Sequence, residues 1–192
     1  MSLLINSSKK WAFIHIPKTG GTSLSSIIRG IDGTQQITGH DSIRWVDDVS
    51  DYYIFTIVRN PYTRLASAYN HELRKNTHTY TFGEFLKKAN PFHQWILPQS
   101  YYINAGKTEK RKISFVAHYE NYGNDIKTIL NKLNCTSNIP HLNRNPIYDT
   151  HPTLNQENYY KHFFTEEWMV DWVNERYEDD FKLFNYDMDL PR

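Results

Sequence analysis

The sequence predicts an α/β domain built on a central parallel sheet flanked by helices. Three apolar runs carry that expectation: residues 11–16 (WAFIHI), 52–59 (YYIFTIVR) and 113–118 (ISFVAH). Each is short, rich in β-branched and aromatic residues, and reads as a buried strand. Each is followed by a segment with helical spacing, and that alternation calls for crossover connections between parallel strands.

The elements follow in order. Pro17 ends the first strand, and Thr22 to Arg29 reads as a helix closing near Gly30 and Gly33. Residues 31–51 are polar and turn-rich, with room for a short helix at Ser42–Asp48. The second strand, Tyr52–Arg59, stops at Asn60-Pro61. Asn60 suits a helix cap and Pro61 the first helical position, where a missing N–H costs nothing. That helix is expected to reach about Lys75, and Thr81–Ala89 to form another.

After the third strand, Asn121–Asn134 places Ile126, Ile129, Leu130 and Leu133 on one helical face. Residues 135–153 read as a loop. A last helix over roughly 165–184 carries Trp168, Trp172, Val173, Tyr177, Phe181 and Phe184 as a packing stripe.

At 192 residues the chain suits a single domain spanning 1–192, long enough to bury a sizeable core. A net charge of +1 offers no global basic field for nucleic acid, so an anion site must be a local cluster. The 14 Tyr, 10 Phe and 5 Trp are read chiefly as packing. Cys135 is the only cysteine, which excludes an intrachain disulfide and a cysteine-based zinc cluster. MSLLINSSKK lacks the apolar run of a signal peptide, and no stretch has the length of a membrane span. A cytoplasmic protein is the expectation.

The chemistry concentrates between the first strand and its helix. Pro17-Lys18-Thr19-Gly20-Gly21-Thr22-Ser23 is an anion trap in outline. Two glycines let the backbone approach a ligand, and the helix start offers unpaired N–H groups at its positive end. Lys18 adds a full charge, and Thr19, Thr22 and Ser23 add hydroxyls. A nucleotidase loop requires G-x-x-x-x-G-K-[ST]. Aligned on Lys18-Thr19, that pattern puts Ala12 and Pro17 where its glycines belong, which argues against a P-loop kinase.

A second cluster begins at the end of strand 52–59. Arg59 lies at the strand's carboxyl end and is suited to fork onto a phosphate. Ser67 follows eight residues later on the next helix; Arg64 could also reach the phosphate, but reads more naturally as an exposed residue paired with Asp or Glu.

Together the two motifs resemble the PAPS-dependent sulfotransferases, in particular the carbohydrate branch that includes the heparan and uronosyl 2-O-sulfotransferases and small bacterial relatives. Pro98-Gln99, Ile113–Tyr122, Leu142-Asn143 and Tyr177–Tyr186 extend the resemblance over nearly the whole chain. In that family the lysine also precedes the glycines. The resemblance implies a P-loop-like three-layer fold and PAPS as sulfuryl donor, leaving as PAP. By motif, Pro17–Ser23 (Pro17, Lys18, Thr19, Gly20, Gly21, Thr22, Ser23) takes the 5′-phosphosulfate, and Arg59 with Ser67 takes the 3′-phosphate. Lys18 would neutralise the departing oxygen. Arg144, in the late loop 139–148, would touch the donor or an anionic acceptor.

Transfer to a hydroxyl also requires a base. Residues 1–71 contain no glutamate, so the glutamate used by some relatives is missing there. The 2-O-type branch uses a histidine between the two motifs, and His40 is the only histidine in that interval. Asp41 is the alternative, either as base or as the group orienting the imidazole. His15 reads as a packed strand residue, and His71 as a weaker candidate on the acceptor side. Glu120 reads as a capping or core-bonding carboxylate. The remaining histidines show no metal-ligand spacing, and no metal is expected. Tyr101-Tyr102 and Tyr159-Tyr160 are candidates for an acceptor cleft. The acceptor implied is a hydroxyl, most naturally of a carbohydrate, with no nucleic-acid partner. A non-catalytic nucleotide- or glycan-binding protein on the same fold is the remaining alternative.

Overall fold

The computed structural model describes residues 2–38, 49–75, 80–104, 113–137 and 159–190. The chain divides into two compact units: Met1–Arg59 with Gln99–Leu142, and Asn60–Pro98 with Asn143–Arg192.

The first unit is organised by a five-stranded sheet. Its strands are β1 (Ser2–Asn6), β2 (Trp11–Ile14), β3 (Thr34–Thr38), β4 (Tyr53–Val58) and β5 (Phe115–His118), in the spatial order β3-β1-β2-β4-β5. β2, β4 and β5 are the three strands expected from sequence, and they pair in parallel, with Phe13 opposite Phe55 and Ile57 opposite Ala117. The expected parallel strands thus form the centre and one edge of a mixed sheet, in which β1 pairs antiparallel with both β2 and β3.

The cause lies in a tight turn that the sequence does not advertise. Asn6 is fully buried, and its side-chain oxygen accepts the Lys9 N–H at 2.9 Å and the Ser8 hydroxyl at 2.9 Å. Its amide donates to the Asp32 carbonyl at 2.8 Å. This Asx-type turn reverses the chain within four residues, so β1 can only return antiparallel.

Alternation along β2 and β4 sorts the side chains to two faces. On one face Leu4, Trp11, Phe13, Phe55 and Ile57 meet α1 (Gly21–Ile28), through Leu24 and Ile28, and a later helix through Ile126, Ile129 and Leu130. Phe13 and Phe55 stack at 5.3 Å between centroids. Each such side chain, fully buried, contributes about 1.5–3 kcal/mol relative to exposure. His15 continues the Trp11, Phe13 register on the α1 face.

The second unit is helical. Its helices are α2 (Pro61–Lys75), α3 (Phe82–Lys88) and, near the C-terminus, Glu167–Arg176 and Glu178–Phe184. The last strand of the first unit leads instead, through a 3₁₀ turn at Tyr119–Asn121, into Tyr122–Lys132, and Gln99–Asn104 forms a further short helix there. In chain order these become α4 (Gln99–Asn104), α5 (Tyr122–Lys132), α6 (Glu167–Arg176) and α7 (Glu178–Phe184). Thr81 caps α3 in a full capping box with Glu84.

The single helix expected over 165–184 is two, broken at Tyr177 (φ −116°, ψ 23°). Tyr177 is buried, and its hydroxyl donates to the Ile96 carbonyl at 2.9 Å, an anchor that a straight helix would have to give up. The stripe itself does form core: Val173, Tyr177 and Phe181 lie in one cluster with Tyr62, Tyr69, Phe82 and Phe164.

Candidate active site

The three parallel strands end side by side, and the groups singled out from sequence in the first unit hang from those ends. β2 leads into the loop 15–20, β4 into Arg59, and β5 into Tyr119. Carboxyl ends of parallel strands are where such sheets bind ligands.

The loop is held in a specific shape. Lys18 has φ 70° and Gly20 φ 84°, both left-handed. A lysine there costs about 1–2 kcal/mol of steric strain, so other bonds must impose the geometry. Thr19, fully buried, donates its hydroxyl to the Ile16 carbonyl at 2.9 Å. Gly20 is the N-cap of α1 and supplies no side-chain cap, and the first turn holds no acidic residue. The positive end of α1 is therefore not closed by a capping side chain, and it faces the loop that carries Lys18.

Neither glycine tolerates a side chain. A Cβ on Gly21 would lie 2.4 Å from Cδ2 and 2.7 Å from Nε2 of His15. One on Gly20 would meet the rings of Tyr119 and Tyr122 at 3.0–3.1 Å. His15 is thus the floor beneath the start of α1, stacked on Phe13 at 5.7 Å. Burial, with the nearby positive charge of Arg29 adding to it, lowers its pKa from 6.5 to about 4, so the imidazole is neutral. The packed reading of His15 agrees with this placement.

Arg59 stands beside the loop. Its guanidinium lies 4.1 Å over the Tyr119 ring, a cation–π contact, and Nη1 makes a long contact of 3.5 Å to the Lys18 carbonyl. Gln99, fully buried, pins the Arg59 backbone from both sides. Its Oε1 accepts the Arg59 N–H at 2.9 Å, and its Nε2 donates to the Arg59 carbonyl at 2.8 Å. Tyr122 closes the loop from α5, its hydroxyl donating to the Gly20 carbonyl at 3.0 Å. Burial pushes that phenol up to about 12, opposed in part by hydrogen bonds from Ser23 and the Leu24 backbone.

Of the loop hydroxyls, Thr19's is committed to Ile16, Ser23's is engaged with Tyr122, and Thr22 is exposed. Ser67 lies half-buried on α2 in the second unit. Arg64 departs from expectation: it is 1 % exposed, and Nη1 donates to the Leu97 carbonyl at 3.0 Å. It is buried in the helical unit, so it is not the exposed ion pair expected. His71 packs edge-on against Trp95 at 4.6 Å. Glu120 is exposed, and the neighbouring Asp125 accepts the His118 N–H at 2.7 Å. Tyr102 and Tyr160 are buried, and Tyr101 is exposed. His40, Asp41 and Arg144 lie outside the described residues.

Gln99, Tyr119 and Tyr122 were not read as site residues from sequence. Their signal was present in Pro98-Gln99 and in Tyr119–Tyr122 directly after a parallel strand, but nothing local ties them to a loop some hundred residues earlier. Among the described residues there is no cluster of His, Cys, Asp or Glu suited to a metal ion, and no helix long and apolar enough to cross a membrane.

No curated protein and no solved structure matches the chain. A family model described as the sulfotransferase family matches residues 1–187, so this chain, with its strand–loop–helix turn at the carboxyl edge of the parallel strands, belongs to the sulfotransferase family.

Proposed function

We propose that this protein transfers the sulfuryl group of PAPS to a carbohydrate hydroxyl, as a small member of the 2-O-sulfotransferase-like branch acting in the cytoplasm as one P-loop-like, three-layer catalytic domain. The observation that carries the reading is the uncapped start of α1 behind a left-handed Lys18 and Gly20. Backbone N–H groups, a lysine and a glycine pair that leaves no room for a Cβ suit the 5′-phosphosulfate of PAPS. Arg59, fixed on its backbone by Gln99 and on its head by Tyr119, suits a phosphate and, with Ser67, is assigned the 3′-phosphate by motif.

In the proposed reaction His40 takes the acceptor proton, with Asp41 as the alternative base or as the group that orients the imidazole. The acceptor oxygen bonds to sulfur while the bond between sulfur and the phosphate oxygen breaks. The electron pair stays on that oxygen, where Lys18 stabilises the charge as PAP leaves. Arg144 is assigned to the donor or to an anionic acceptor. No metal enters the scheme.

The test is thermal stabilisation by nucleotides followed by a PAPS-transfer screen over saccharide acceptors. PAP should raise the melting temperature well above the effect of AMP, which lacks only the 3′-phosphate. Equal stabilisation by the two would sink the assignment of Arg59 and Ser67. Once an acceptor is found, Lys18→Ala and His40→Ala should each lower turnover by roughly 10²–10⁴-fold, with PAP binding retained in His40→Ala.

A further inference from the structure

We propose that Tyr122 is a positioning residue that locks the Gly20–Gly21 peptide so that the Gly21 N–H faces the anion. The inference rests on the phosphosulfate reading of the loop and assigns to it a device that the two motifs do not contain.

In a planar trans peptide the C=O of one residue and the N–H of the next point in opposite directions. The chain has no cis peptide among the described residues. Tyr122 Oη donates to the Gly20 carbonyl at 3.0 Å, which draws that oxygen toward α5 and turns the Gly21 N–H away from it. Gly20 is at φ 84°, ψ 3°, and the residue on the other side of the peptide is also glycine. Without a Cβ on either side, rotation of this peptide meets little steric resistance. A flipped peptide would aim a carbonyl at the anion in place of a donor, so one rotation converts attraction into repulsion. The Gly20 carbonyl is also approached by the Ser23 N–H, at a longer 3.3 Å, so the phenol supplies the shorter of two restraints.

The lock has a firm base. Tyr122 is the first residue of α5, whose Ile126, Ile129 and Leu130 are buried in the sheet core. Its ring lies 5.9 Å from that of Tyr119, which in turn carries the Arg59 guanidinium, and it fills the space that a Gly20 Cβ would enter. With its pKa pushed up to about 12, the hydroxyl keeps its proton, and so its donor role, across the working pH range.

Tyr122→Phe removes the hydroxyl and keeps the ring. The experiment pairs calorimetric affinities for PAP and AMP with amide hydrogen exchange of the unligated protein. The expected result is a loss of about tenfold in affinity for both nucleotides, the effect of one hydrogen bond. The PAP-to-AMP ratio should be preserved, because the 5′ end alone is disturbed. Exchange should quicken at Ser23, whose N–H bonds the Gly20 carbonyl that the phenol holds in place, and remain slow across α5. Wild-type PAP affinity, or a loss confined to PAP, overturns the proposal, as does unchanged exchange at Ser23. If the wild-type chain binds neither nucleotide, the phosphosulfate reading fails, and the exchange comparison still decides whether the hydroxyl holds the loop.

Discussion

Two helices of this protein begin just after parallel strands, and they begin in opposite ways. α1 follows β2 and starts at Gly20, which offers no side chain to its first turn. α2 follows β4 and starts at Asn60-Pro61, where the Asn60 side-chain oxygen accepts the Tyr62 N–H at 3.0 Å and Pro61 has no N–H to satisfy. The first start leaves donors for an outside anion; the second consumes its own. Under the proposed function, the difference sets where each motif's binding power comes from. At Pro17–Ser23 it is chiefly the backbone and the helix end, with Lys18 adding charge. At the second motif it is the side chains of Arg59 and Ser67.

The largest expected effect breaks the first start. Gly21→Ala places a Cβ 2.4 Å from His15, which cannot swing away easily because it is stacked on Phe13. Overpacking of this kind costs about 1–3 kcal/mol and displaces the N–H groups that face the anion. PAP affinity should fall by roughly a hundredfold or more, the product of that displacement and the lost donors. Adding His15→Ala to the same chain should recover part of the melting temperature. If Gly21→Ala binds PAP normally, the close backbone approach is not what the loop uses.

His15 itself gives the next effect, in pH dependence. Its imidazole has a pKa of about 4 in the folded chain against 6.5 when unfolded. Above pH 6.5 both states are neutral there and stability is unaffected. As pH falls from 6.5 toward 4 the unfolded state takes up a proton that the folded state refuses, and stability drops. Below pH 4 both are protonated and the loss levels off. The full loss is about 3 kcal/mol, from 1.36 kcal/mol per unit. Urea unfolding at several pH values, wild type against His15→Asn, isolates this part of the slope. Identical slopes for the two proteins would mean that the imidazole is solvated and does not floor α1.

Much of this was legible in advance, for physical reasons that can be named. β2, β4 and β5 stood out because a strand buried on both faces must be apolar throughout, and Asn60-Pro61 marked a helix start through its own local chemistry. β1 and β3 were missed: the apolar run of SLLIN is only three residues, Leu3-Leu4-Ile5, though all three are buried, and TQQIT is an edge strand with a single aliphatic side chain. The loop was read as an anion trap from its composition. What composition did not convey is how the loop is held, because Gln99, Tyr119 and Tyr122 reach Arg59 and Gly20 across long sequence separations. Arg64 was misread for the opposite reason. A charged residue on a helix is ordinarily exposed, and Arg64 is instead buried with the Leu97 carbonyl among its partners.

The smallest effect tests the second start. Asn60→Ala removes the cap of α2, and capping substitutions of this type cost about 1 kcal/mol. For a chain of this size that corresponds to roughly 2–4 °C in melting temperature. Asn60→Asp, which keeps an acceptor for the Tyr62 N–H, should restore most of the loss. The same two variants should leave the PAP-to-AMP affinity ratio within about twofold of wild type, since a capped helix end has no donor to lend to a phosphate. A ratio that collapsed in Asn60→Ala and returned in Asn60→Asp would mean that the start of α2 takes part in holding the 3′-phosphate. The two helix starts would then differ in degree rather than in kind, and Arg59 would no longer be the principal ligand of that motif.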